Sequence, residues 1–86
     1  MVVTPNYLRD VGEVIAAAAS VREAAATWRA RDPAMRVVVV DAMEMRDETP
    51  VLSLEHCQVF LATSNGHCWT ITQEAAQATA LVLTEK

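Results

Sequence analysis

The sequence predicts a two-layer α+β domain spanning residues 1–86, in the order helix, three-stranded antiparallel meander, helix (α-β-β-β-α). Three observations lead there. An apolar seam at helical spacing runs from Tyr7 to Trp28, four valines stand in a row at Val37–Val40, and an Asn65-Gly66 pair separates two β-rich stretches. Short connections, with helices covering one face of a meander, give this architecture.

The first helix opens at Thr4-Pro5. A Thr hydroxyl accepts an orphan backbone N–H, and Pro is pre-set for the first helical turn. Tyr7, Val11, Val14, Ala18, Val21, Ala25 and Trp28 follow at alternating spacings of four and three. That spacing draws one stripe along one helical face. Leu8 and Ile15 widen the stripe, and Arg9, Asp10, Glu13, Arg22, Glu23 and Arg29 lie opposite. Pro33 ends the helix, because the residue before a proline is pushed out of helical geometry. Ser20 and Glu23 have capping-box spacing, and Gly12 lowers helical propensity, so a break near Ser20 is a second reading. The seam keeps its phase across Ser20, and one helix, kinked there, is expected.

The valines begin a strand over Arg36–Met45, since β-branched runs disfavour helix and suit a pleated surface. Both its faces are apolar at the start, which predicts a central strand. Arg46–Pro50 reads as a polar turn. Val51–Ser64 reads as a second strand, bent at the polar patch Glu55–Gln58, where no Gly, Pro, Asn or Asp supports a tight turn. Asn65-Gly66 suits a two-residue type I′ hairpin. On that register Thr63 faces Cys68 and Ala62 faces Trp69, with His67–Thr72 as the returning strand. Thr72–Lys86 then reads as a C-terminal helix. Thr70 and Gln73 have capping-box spacing, and Ala75, Ala78, Leu81 and Val82 form a stripe. A strand over Thr79–Glu85 is the rival reading.

The order α-β-β-β-α resembles that of the double-stranded RNA-binding domain. In that family the second helix begins with a Lys-rich motif that grips phosphates. The matching segment here, Gln73–Thr79, has one Glu and no Lys or Arg, so the electrostatic requirement for RNA is unmet.

Composition narrows function by exclusion. The chain is 52% apolar, enough for a folded core. Its net charge is −4, with seven scattered basic residues. No basic stripe exists to displace counterions from a nucleic acid or to hold an anionic membrane. The N-terminus lacks the charged n-region of a secretory signal, and the apolar run from Val14 to Ala19 is too short to span a bilayer. Two Cys without a signal sequence suggest reduced thiols in a cytoplasm. Two glycines, Gly12 and Gly66, cannot make a Gly-rich phosphate loop.

His56-Cys57 and His67-Cys68 are the chain's only His and Cys. On the hairpin register Cys57 is ~20 Å along the strand from the partner of Cys68, and His56 roughly 26 Å from that of His67. Zinc ligands need bonds of about 2.0–2.3 Å, so the pairs cannot converge within one chain; an intramolecular disulfide fails too. Across a homodimer they could meet. Adjacent strand residues point to opposite faces, so neither His can serve as base for its neighbouring Cys. If Arg46–Pro50 closed a hairpin, Asp41 would face His56 as a carboxylate–His pair. Asp41, Glu44, Asp47, Glu48 and Glu55 form an acidic group suited to solvation or to steering a basic partner. Met43 and Met45 form an adaptable edge. His67 and Trp69, on one face beside the hairpin turn, are a candidate interaction patch.

Taken together these features indicate a small cytoplasmic, non-enzymatic accessory or interaction protein. It has no catalytic residues, cofactor or metal, its partner is a protein (a second copy of itself included), and it binds neither nucleic acid nor membrane. The alternative is a metal-responsive or thiol-redox protein using the His-Cys pairs across a dimer.

Overall fold

The computed structural model describes residues 3–64 and 69–85, with Ser64 and Trp69 as backbone. Two helices come first, α1 (Pro5–Ala17) and α2 (Val21–Arg31). Strands follow at β1 (Arg36–Val40), β2 (Leu52–Ser53), β3 (Cys57–Ser64), β4 (Trp69–Thr72) and β5 (Ala80–Glu85), with short 3-10 turns at Ala42–Met45 and Ala75–Gln77. The expected α-β-β-β-α order is therefore wrong. The chain runs from two helices into a five-stranded mixed sheet that ends on a strand, and the likeness in element order to the RNA-binding domain goes with it.

Thr4 caps α1 as expected, its hydroxyl accepting from the Tyr7 N–H at 3.1 Å, with Pro5 in the first turn. The single helix expected beyond Ala17 is two. Ala18 and Ser20 are both extended, and the Ser20 hydroxyl accepts from the Glu23 N–H at 3.1 Å, starting a new helix. A straight helix would hold Tyr7 and Trp28 about 31 Å apart. Instead their rings meet edge to face at 5.2 Å, and α1 and α2 fold back on each other. Trp28 Nε1 donates to the Tyr7 hydroxyl at 2.8 Å, and Tyr7 donates to Asp32 Oδ2 at 2.7 Å. The Arg31 guanidinium lies 5.3 Å above the Trp28 ring, a cation–π contact. The apolar seam stays in phase because both helices bury it against the same sheet.

The sheet order is β1-β5-β3-β2, with β4 sharing the β2 side of β3. β1 runs parallel to β5, whereas β3 is antiparallel to β5, β2 and β4. The C-terminal segment expected as a helix is thus a central strand. Leu81 and Leu83 face the helices, Ala80 and Val82 face the other way, and all four are buried. A run apolar on both faces loses the alternation that distinguishes a strand. Apolar residues on both faces likewise misplaced β1, which stands at an edge and pairs with β5 alone among the described residues. Val37 packs toward the helices, and Val38 and Val40 toward the opposite face.

Two further expectations fail locally. The strand beginning at Arg36 ends at Val40, because Asp41 caps a 3-10 turn by accepting from the Met43 N–H at 2.8 Å. The bent strand over Val51–Ser64 is two strands. Leu52 pairs with Val59 and Ser53 with Gln58, and Leu54 N–H donates to the Cys57 carbonyl at 2.8 Å, which leaves Glu55-His56 as the loop. Hydrogen bonds across the ladder hold a turn that its residue types do not advertise.

The helix side of the sheet carries the larger core, including Ile15, Trp28, Val59, Leu61, Leu81 and Leu83. Each such side chain contributes about 1.5–3 kcal/mol on burial. A smaller cluster, Phe60, Ala62, Ala80 and Val82, occupies the other face. The connection from β1 to β2 joins opposite sides of the sheet, and Met45 on it packs against this cluster. The radius of gyration, 11.7 Å, is close to the ~12 Å of a compact chain of this length. Among the described residues no helix is long and apolar enough to cross a membrane.

Candidate functional site

The face opposite the helices holds the most distinctive surface feature. Val38 and Val40 of β1, Val82 of β5, Ala62 of β3 and Ile71 of β4 form the floor of a groove of about 440 Å³. Met45 walls it, and Glu44 is the only charged residue in its lining among the described residues. The local sequence explains the arrangement. Even-numbered residues of β1, β3 and β5 share this face because side chains alternate along a strand, and the 3-10 turn capped by Asp41 swings Met45 over the sheet. Next to Met45, Met43 is 67% exposed, the one large apolar side chain so exposed among the described residues. Two other hollows, of about 600 and 570 Å³, lie along β1 and carry more charge in their linings: Arg29 and Arg36 in one, Arg22, Asp41 and Glu85 in the other.

The residues singled out in the sequence are distributed as follows. His67 and Cys68 lie outside the described residues, as does the side chain of Trp69, so the His67–Trp69 patch rests on the sequence. The backbone of Trp69 opens β4 opposite Ser64, and Thr63 pairs with Thr70 rather than Cys68. This moves the hairpin register two residues from the expected one. An even shift leaves faces unchanged, and Phe60, Ala62 and Ile71 do share a face. Cys57 and His56 stand at the other end of β3, roughly 23 Å from Ser64. The Asp41–His56 pair does not form. β1 and β2 are not neighbours, and Asp41 is occupied with its helical cap. Met43 and Met45 sit on the 3-10 turn instead of a strand end, one exposed and one against the sheet.

No protein-family model, curated protein or solved structure matches the chain. Function is therefore argued from the geometry alone.

The chemistry on offer is sparse. Among the described residues no group of three His, Cys, Asp or Glu side chains gathers to hold a metal ion. Cys57 is fully buried, and burial pushes its thiol up from the ordinary range. The Glu85 carboxylate pushes the same way, against a backbone hydrogen bond from Thr84. A shielded thiol with a raised pKa is a poor nucleophile. Two buried polar atoms, Thr84 Oγ1 and His56 Nε2, have no hydrogen-bond partner among the described residues. Neither burial was legible in the sequence, since that of Thr84 depends on β5 being central and that of His56 on the turn between β2 and β3. The groove was missed for a related reason: its lining comes from four strands whose adjacency no local signal reveals.

Proposed function

We propose that this chain is a small cytoplasmic, non-enzymatic interaction protein whose contact surface is the groove beside Met43. The observation that carries the reading is an open apolar groove walled by Met45, with the exposed Met43 on the same 3-10 turn, on the sheet face opposite α1 and α2. Methionine is unbranched and polarisable, and suits a surface that must adapt to a partner. The thiol at Cys57, free and buried, fits a reducing compartment.

A photoreactive amino acid placed at position 43 tests this in the producing cell, with position 16 on the exposed side of α1 as reference. The expected result is a covalent adduct of one defined mass from position 43 and none from position 16. Adducts from neither position, or the same set from both, overturn the reading.

A further inference from the structure

Resting on that interaction reading, we propose that the groove takes a short basic segment of a partner protein, its apolar side chains between Val38, Met45 and Ile71 and its Lys or Arg side chains on the rim. Charge distribution decides between this occupant and a second copy. Residues 1–36 carry five Arg against Asp10, Glu13, Glu23 and Asp32, a net of +1. Residues 37–86 carry seven acids against Arg46 and Lys86, a net of −5, which together make the chain's −4. Most of that excess lies on the segment that brings Glu44 and Met45 to the groove. Residues 41–50 hold Asp41, Glu44, Asp47 and Glu48 against Arg46 alone, a net of −3, and all five are exposed. Arg46 is itself drawn to Asp47, at 3.9 Å.

A symmetric dimer brings the same patch of both copies together. Through this groove it would set one acidic segment against another, and like charges across an interface are costly. A second copy offering its helical layer instead brings a nearly neutral surface. A basic segment meets both requirements at once. Apolar contacts supply the affinity, and Glu44 with the acidic segment around it supplies steering and selection among partners.

The test uses the full chain, isotopically labelled for NMR, and two synthetic peptides. One alternates Leu with Lys and the other alternates Leu with Glu. The Lys peptide should shift the signals of Val38, Val40, Met45, Ile71 and Val82, bind about tenfold or more tightly than the Glu peptide, and weaken as salt rises. The double variant Glu44→Lys/Asp47→Lys changes two exposed side chains, so the fold should be retained, and the order of the two peptides should reverse. Equal binding of both peptides, or shifts confined to α1 and α2, overturns the proposal. So does a chain that sediments as a dimer, becomes monomeric on Met43→Glu and binds neither peptide. That last outcome leaves the interaction reading standing, whereas absence of adducts from position 43 removes it.

Discussion

At the scale of single residues, Tyr7 has the most consequential environment. Its hydroxyl joins the two helices by accepting from Trp28 and donating to Asp32, and its pKa is pushed up to about 12. Burial is the main cause and the hydrogen bond to the Asp32 carboxylate the next, opposed by donation from Trp28. The folded chain therefore holds this proton more tightly than the unfolded chain, whose tyrosine titrates near 10. The resulting stabilisation is fully present below about pH 10 and is lost as pH rises from there through about 12. Tyr7 is the only tyrosine, so the ultraviolet absorbance of tyrosinate reports on it alone. The native chain should titrate with a midpoint near 12 and lose stability across that window. Tyr7→Phe should remove that contribution to the pH dependence. A native midpoint near 10 would mean that the clasp is not formed. Tyr7 and Trp28 were both legible as seam residues, but their contact was not, because one continuous helix places them far apart.

At the scale of elements, the errors share a physical origin. The break at Ser20 was visible as a capping box, yet a seam in phase argued for continuity. A helical hairpin packing both arms on one sheet can preserve that phase, so periodicity alone could not separate the two cases. β5 was obscured by burial on both faces, and the edge position of β1, itself legible as a strand, by apolar residues on both of its faces. The Glu55-His56 turn was obscured because its support is the β2–β3 ladder. What alternation could establish, it did: Phe60, Ala62 and Ile71 stand together despite the changed register. Gly12 lies within α1 despite its low helical propensity, and the structure shows what an added methyl would meet. A Cβ there would lie 3.7 Å from Leu52 Cδ1, an ordinary contact. Gly12→Ala should therefore stabilise the chain by about 0.4–1 kcal/mol, through helical propensity and a less disordered unfolded state. The denaturant midpoint should rise with the slope unchanged. A lower midpoint would show that α1 and β2 approach more closely than this contact allows.

At the scale of the whole molecule, the issue is how a small sheet with a valine-rich edge avoids joining another. β1 has β5 on one side and no strand on the other among the described residues, and exposed edge strands are templates for further pairing. Arg29 addresses this from α2. Its Nε and Nη2 both donate to the Val37 carbonyl, at 3.1 and 2.7 Å. A guanidinium over the edge occupies an acceptor that an incoming strand would use, and adds a charge there. Arg29→Ala should leave α2 intact, since Ala is the better helix former, and should free that carbonyl. The expected outcome is concentration-dependent self-association in sedimentation, under conditions where the native chain stays at a lower mass. It should persist when Glu44→Lys is added, because the contact runs along the strand edge and not through the acidic groove. Identical sedimentation of the native and Arg29→Ala chains would show that Arg29 does not guard this edge. Association abolished by Glu44→Lys would instead assign the contact to the groove face.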